Sequence, residues 1–400
     1  MNILKQILFG LLLVPFSLMC AEQQPEPLHE KIDSYIQAHV EKGIFNGAIL
    51  VARGDEIILS KGYGLANFET KSPCTPQTQF QIASCTKSFT SLAIMLLQQQ
   101  GKLNTQDSLD KYLPDFVRGN EITIHHLLTH SSGIIDYGNI YEYKKIINKQ
   151  FNTYHNKALQ YLSIDELIKM FKNKPLQFKP GEKFSYSNSG YVLLAAIIEK
   201  VSGKNYFDFV QENILTPFGM STSGNNYYSV FNPDQTISYY LHPTIPANFD
   251  LSGIGDGCIY STIEDLYRYD RAMNNVSPEI LEYMFTPYFP DDDNHPNSHV
   301  GCGWFIDECC GHKRISHSGG INGYCSWITR FIEDDICIII LSNTAICPIE
   351  QLNNGLAELV FDGKTNRPKT GALRSALKTA AKCRPTRWAL HKIIDKYIGV

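Results

Sequence analysis

Four strand-like runs follow one another between Gly303 and Leu341, with no stretch between them long enough for a helix. They are Gly303 to Asp307, Lys313 to His317, Tyr324 to Phe331 and Ile336 to Leu341. Parallel neighbours need a crossover of a dozen or more residues, so strands this closely spaced pair antiparallel. A second hairpin is written near the start. Gly47 to Leu59 reads as strand, turn at Arg53-Gly54-Asp55 and strand, continued by Gly62 to Ala66.

Helical spacing marks His29 to Glu41, Ser84 to Gln100 with Gly101 as its stop, Ile164 to Lys172, Tyr191 to Val201 closed by Gly203, a helix from Thr262 to Met273, and Ile349 to Val360. Strands and helices segregate along the chain, so the expected fold class is α/β (α+β): an antiparallel β-sheet flanked by helices, with an all-helical inserted domain. The expected boundaries are 28–102 and 256–362 for the sheet domain, 103–255 for the helical domain and 363–400 for a basic C-terminal extension. A cleft between the two domains is the natural place for a site.

The 400 residues carry a formal charge of −4, with 43% hydrophobic and 19% charged residues. This ordinary globular balance supports a large core and gives no reason to expect a nucleic-acid partner. The extension is locally different. From Lys364 to Ile394 it has nine Lys or Arg and no Asp or Glu, which suits either a solvated tail or weak association with an anionic membrane surface.

Residues 1–21 have the form of a signal peptide. Lys5 precedes an apolar run from Ile7 to Met19, and the small residues Cys20 and Ala21 lead into a polar, Pro-containing stretch. That run is too short to span a bilayer but fits an export signal. The chain is therefore expected to be exported, periplasmic or secreted, or membrane-tethered if the segment is retained. Cys20 raises lipidation, although Met19 is a poor residue to precede a lipidated cysteine. Eleven cysteines in an exported chain allow some pairing, and Cys302, Cys309, Cys310 and Cys325 are near enough in sequence for a bridge among them. Cys258 and Cys337 sit in apolar runs and read as buried thiols. No C-x-x-C pair occurs, and His126 with His130, four apart on one expected helical face beside His125, is a thin basis for a metal. No metal and no cofactor is expected.

The chemistry centres on Ser84-Cys85-Thr86-Lys87. Residues three apart share a helix face, so the serine hydroxyl and the lysine amine can meet. A hydroxyl needs a neighbouring base to become a nucleophile, and a lysine whose pKa is lowered by burial can serve. The pattern recurs at Ser108–Lys111 and Ser375–Lys378, but only Ser84 opens a strongly apolar helix, where a lysine one turn in must have partners. Tyr186-Ser187-Asn188 follows Pro180-Gly181. A phenol near an ammonium ionises more easily and can shuttle a proton, while an asparagine can hold both the lysine and a substrate amide. Tyr137–Asn139 and Tyr154–Asn156 repeat the spacing without a following apolar helix. His317-Ser318-Gly319-Gly320 ends a strand-like run, and its glycines permit close approach of a substrate backbone, with the amide after Gly319 aimed at an oxyanion. Lys369-Thr370-Gly371 imitates this third motif but lies in the basic tail without a strand beside it. Neither a Gly-x-Ser-x-Gly elbow nor a His-Glu-x-x-His motif is present.

Ser-x-x-Lys, Tyr-x-Asn and His-x-Gly, in this order and at these intervals, resemble the class C β-lactamase-like family of serine hydrolases, which includes DD-carboxypeptidases, D-aminopeptidases, esterases and LACTB-type proteases. The stretches GKLNTQDSLDKYLPDF, HHLLTHSSGI at 125–134, PGEKFSYSNSGY at 180–191, GDGCIYSTIEDLYRY at 255–269, GCGW at 301–304 and LSN at 341–343 extend the resemblance over about 29–360. It implies an acyl-enzyme on Ser84, a general-base pair of Lys87 and Tyr186, and Asn188 orienting Lys87 and holding a substrate amide. It also implies an oxyanion hole from the amides of Ser84 and Gly320, and His317 on the substrate-carboxylate side beside Gly319. The implied partner is a small-molecule or peptide substrate: a peptidoglycan peptide, an ester or a β-lactam. Histidine in place of the lysine usual for the third motif lowers the expectation of dedicated β-lactamase activity. Cys85 inside the first motif is a second departure, expected to pack beneath the helix. Non-catalytic ligand binding is the remaining alternative, and the full set of side chains argues against it. The closing residues Asp395 to Val400 resemble the opening strand of a small β domain that some members append.

Overall fold

The computed structural model describes residues 26–146, 162–225, 236–241, 245–246, 253–291, 297–321 and 323–365. The signal segment with Cys20, the Tyr154–Asn156 and Ser375–Lys378 repeats, the Lys369 decoy and the C-terminal basic stretch beyond Thr365 lie outside the described residues.

Eight strands build one antiparallel sheet. In chain order they are β1 (Gly47–Arg53), β2 (Glu56–Tyr63), β3 (Phe289–Pro290), β4 (His299–Val300), β5 (Phe305–Cys309), β6 (His312–Ile321), β7 (Tyr324–Phe331) and β8 (Ile336–Ser342). They lie side by side as β3-β4-β5-β6-β7-β8-β1-β2. The first hairpin therefore docks on the last strand, with Gly47 opposite Ser342 and Arg53 opposite Ile336. This pairing closes the sheet across nearly the whole sequence.

Alternation along the central strands feeds two apolar layers. Ile49 and Val51 of β1 and Ile336, Ile338 and Ile340 of β8 face one layer, and Ala48, Leu50, Ala52, Cys337, Ile339 and Leu341 face the other. β8 is buried along its whole length because both faces are covered, which is why it reads as an unbroken apolar run. The first layer is capped by the helices α1 (Leu28–Glu41) and, from the chain's other end, Ile349–Asp362. On the opposite face pack α2 (Thr86–Gln99), with Phe89 and Leu92 buried, and the helix Ile263–Met273, whose start is capped by Thr262 accepting from the Asp265 amide.

The interposed segment is mainly helical. Its clearest elements are Ile164–Phe171, opened by a reciprocal Ser163–Glu166 capping box, and a helix over Asn188–Ser202, ended by Gly203 at φ +71°. Short strands also occur: Gly224–Asn225 pairs with Ile259–Ser261, which pairs in turn with Phe80–Gln81. The core of this segment is continuous with the layer around α2, since Leu127, Tyr191, Leu194 and Phe209 belong to the same apolar cluster as Phe89.

Several details differ from expectation. The sheet edge bends at Gly64 (φ +72°), so Leu65–Asn67 forms a separate short strand instead of extending β2. Gly303 (φ +74°) makes a turn and β5 starts at Phe305. His126 and His130 do not share a helix face, because the helix is only Ile124–Leu128 and His130 follows it at φ +53°. His126 closes a capping box with Thr123, and His130 is buried beside Tyr186. Among the described residues there is no grouping of three or more metal-ligating side chains. The expected bridge among Cys302, Cys309, Cys310 and Cys325 is not formed: none of the four is in a disulfide, with Cys302 at 0% exposure and the Cys309 and Cys310 sulfurs 3.7 Å apart. Cys302 and Cys325 are held in separate apolar layers, which keeps them from meeting. Among the described residues no helix is long and apolar enough to cross a membrane.

Candidate active site

Ser84 lies on a single 3₁₀ turn, Ala83–Cys85, that feeds α2, so the α-helix proper begins two residues after it. Ala83 takes φ +46°, a left-handed conformation unfavourable for a residue with a Cβ. The surroundings hold that turn firmly. Ser326 Oγ of β7 donates to the Ile82 carbonyl at 2.6 Å, and the Cys85 thiol donates to the His317 carbonyl at 3.1 Å. Cys85 is thus a buried tie between the turn and the sheet, beneath the helix as expected.

Lys87 is completely buried, with its amine in contact with three oxygens. Nζ stands 3.3 Å from Ser84 Oγ, 2.8 Å from Asn188 Oδ1 and 2.7 Å from the Asp256 carbonyl. Burial pulls the ammonium down to about 8, against the opposing pull of the Asp256 and Asp136 carboxylates. A substantial share of Lys87 is therefore neutral near physiological pH, the form a general base requires.

Tyr186 is hydrogen-bonded to Ser84, and the Lys87 amine lies 5.0 Å from the centre of its ring. Its phenol is raised, not lowered as the sequence suggested. Burial is the largest cause, and the Ser84 hydrogen bond only partly offsets it. The phenolate is disfavoured, so Lys87 is the member of the pair suited to take a proton and Tyr186 is suited to relay one as a neutral hydroxyl. The ring is seated on His130, with centroids 4.3 Å apart and planes inclined by 24°. His130 accepts from the Ser187 amide through Nδ1 at 3.0 Å and is kept neutral, its pKa lowered mainly by burial.

The third motif lies within β6 instead of at its end, because pairing with β7 continues through Gly319 opposite Ser326 and Gly320 opposite Cys325. Gly319 leaves no room for a side chain. A Cβ there would stand 2.3 Å from the Ile82 carbonyl oxygen and 3.0 Å from the Ser84 nitrogen. The strand is thus pressed against the serine turn at Gly319, and Gly320 beside it is exposed. His317 is buried and shares a short 2.6 Å contact between Nδ1 and the Ser318 carbonyl. A carbonyl only accepts, so this contact assigns the ring proton to Nδ1 and leaves Nε2 as an acceptor. Burial, with Lys87 adding to it, pulls the imidazole down to about 3. A neutral ring with a bare Nε2 gives a substrate carboxylate neither charge nor donor.

The structure therefore gathers Lys87, Tyr186, Asn188, His317 and Gly319 around Ser84, and Gly320 follows Gly319 on the same strand. Sequence reasoning missed two aspartates. Asp256 supplies the carbonyl that anchors Lys87, and its carboxylate accepts from Tyr137 at 2.5 Å. Asp136 Oδ2 accepts from the Asn188 amide at 2.8 Å and from its side-chain Nδ2 at 2.9 Å. Their mark in the sequence is slight: each is an aspartate in a Gly-bearing loop, and a buried lysine calls for acidic neighbours. Of the decoys, Lys111 pairs with Asp107 at the surface, and Tyr137–Asn139 is a 3₁₀ turn.

Residues 32–358 match the family model described as Beta-lactamase. The chain is 34% identical over 331 residues to penicillin-binding protein 4* of Bacillus subtilis (strain 168), covering 76% of this chain and 69% of that protein. It is 32% identical over 347 residues to the putative penicillin-binding protein PbpX of the same strain, covering 83% and 78%. Among solved structures, the octameric penicillin-binding protein homologue from Pyrococcus abyssi superposes with a TM-score of 0.72 at 31% identity, over 83% of this chain and 77% of that one. The D-amino acid amidase from Ochrobactrum anthropi SV3 superposes at 0.70 with 22% identity, over 85% and 100%, a likeness of fold.

Proposed function

The chain belongs to the β-lactamase family and is a serine hydrolase, and from that premise we propose that it cleaves amide or ester bonds in a peptide-like substrate through an acyl-enzyme on Ser84. The observation that carries the proposal is the contact of a fully buried Lys87 amine with Ser84 Oγ at 3.3 Å. In the proposed cycle Ser84 Oγ attacks the carbonyl carbon as its proton passes to the neutral Lys87 amine. The oxyanion forms against the backbone amides of Ser84 and Gly320. The carbon–nitrogen or carbon–oxygen bond then breaks, and the leaving group takes the proton back through the Tyr186 hydroxyl. Water, deprotonated along the same route, hydrolyses the Ser84 ester and restores the enzyme. Asn188 holds Lys87 and a substrate amide.

A D-Ala-D-Ala carboxypeptidase-like peptidase or an esterase is the substrate assignment we favour. The neutral His317, which offers no cation to a substrate carboxylate, supports the ester or an amide without a free carboxylate beside the scissile bond, while the penicillin-binding names of the relatives support the carboxypeptidase-like option. Hydrolysis of β-lactams is the second reading, supported by the penicillin-binding names of the relatives at 34% and 32% identity. The proposal includes export, for which the Lys5 and Ile7–Met19 pattern speaks. The test is intact mass after brief exposure to a penicillin, with Ser84→Ala as control. A lasting adduct lost in the control supports a penicillin-recognising peptidase, and rapid hydrolysis of the penicillin supports the second reading. Acylation by a reactive ester but not by penicillin moves the assignment to an esterase or another peptidase. An adduct that survives Ser84→Ala removes Ser84 as the nucleophile.

A further inference from the structure

We propose that Asp136 is a positioning residue that fixes the orientation of the Asn188 amide and, through it, the place of the Lys87 amine. The inference rests on the base role proposed for Lys87.

An asparagine side chain is nearly symmetrical in shape, and a half-turn exchanges its oxygen with its nitrogen. The exchange matters here. An amine held at 2.8 Å from Oδ1 would meet an NH₂ group if Asn188 turned over, and would lose one of its three oxygen contacts. Asp136 prevents the turn. A carboxylate only accepts, so its grip on Nδ2 at 2.9 Å commits the nitrogen to one side and presents Oδ1 to Lys87. The same Oδ2 accepts from the Asn188 backbone amide at 2.8 Å, so it is fixed relative to the first residue of the helix that carries Asn188. Its other oxygen accepts from the Gly138 amide at 2.7 Å, which clamps the carboxylate from within its own turn. Asp136 is held on two sides before it holds anything else.

Its charge also bears on the amine. The groups facing Lys87 are Asp256 and Cys258 from the loop after Gly253, Cys85 from its own turn, Tyr186 and Tyr191 through their rings, His130, His317 and Asp136. Asp256 and Asp136 are the acidic ones and favour the protonated amine. Removing the Asp136 charge should therefore ease loss of the proton while loosening the geometry, two effects that separate in a pH profile.

The experiment measures the rate of Ser84 acylation by a p-nitrophenyl ester between pH 6 and 10, in the full chain and in Asp136→Asn, Asp136→Ser and Asn188→Ala, with Ser84→Ala as blank. Asp136→Asn should lower the plateau at least tenfold and move the acid limb to lower pH by roughly one unit. Asp136→Ser, which removes the charge and leaves only a shorter hydroxyl, should show the same displaced limb with a lowered plateau; it carries the test if Asp136→Asn does not melt cooperatively. In the Asn188→Ala background, Asp136→Asn should cost little more in plateau rate. An unmoved limb, or an equal loss in both backgrounds, overturns the inference. Acylation persisting in Ser84→Ala would instead bring down the nucleophile assignment beneath it.

Discussion

The Lys87 amine donates to the Asp256 carbonyl at 2.7 Å, closer than its 3.3 Å approach to the Ser84 hydroxyl. The lysine is thus anchored from behind by a loop distant in sequence, and the face turned to Ser84 is the one left to exchange a proton. Burial without that anchor would leave a charged group unpaired, which proteins rarely tolerate.

Because burial brings Lys87 down to about 8, kcat/KM should rise with pH through about 8 and level off above it, the neutral amine being the active form. Lys87→Arg, which stays protonated throughout, should be inactive at every pH. A pH profile with an ester substrate tests this; a rate already flat from pH 6 upward would take the base role away from Lys87.

Tyr186→Phe removes the relay hydroxyl but keeps the ring on His130. We expect kcat to fall by about 10²–10⁴-fold with KM changed far less. Steady-state kinetics on the variant decide it, and an unaltered kcat would exclude Tyr186 from proton transfer.

Gly319→Ala places a methyl 2.3 Å from the Ile82 carbonyl oxygen and 3.0 Å from the Ser84 nitrogen. These contacts are with backbone, so the serine turn must shift. The expected cost is about 1–3 kcal/mol in stability, with a larger loss in acylation rate. Urea denaturation and burst kinetics read the two effects apart. Wild-type acylation in a folded Gly319→Ala protein would mean that the close approach has no role in the chemistry.

His317 has a folded pKa near 3, below its ordinary value of 6.5, so the unfolded chain binds the extra proton first as pH drops. Its contribution is fully present above 6.5 and is lost as pH falls toward 3, by on the order of 5 kcal/mol. His130 and His125, also pulled down by burial, act in the same direction. Denaturation midpoints measured across pH 3–7 should therefore fall less steeply in His317→Gln than in wild type. Parallel curves would mean that His317 is not titrating between the folded and unfolded states.

Much of the architecture is local in origin and was legible. Tyr324–Phe331 is a strand over the residues its pattern marks, and Thr262 caps the helix it was expected to open. The Arg53-Gly54-Asp55 turn joins two strands, with Gly54 at φ +56°. Where expectation and structure part, long-range pairing is the cause. β6 runs on through its two glycines to Ile321 because β7 supplies partners, although glycine has little strand preference of its own. The cysteines are separated by layers that no spacing reveals.

The sequence alone determined which side chains the chain has for this chemistry, the order in which they occur and the periodicities of the elements that bear them. It also set Ser84 and Tyr186 apart from their repeats, because only these two precede a strongly apolar helix. What the tertiary structure added is the burial of Lys87 and the approach of Asn188, Asp256 and His317 to it from separate parts of the chain. It also set the direction of each pKa. Desolvation and the neighbouring charges belong to no residue singly, so the lowered Lys87, the raised Tyr186 and the neutral His317 arise only once the helices and the sheet have closed around them.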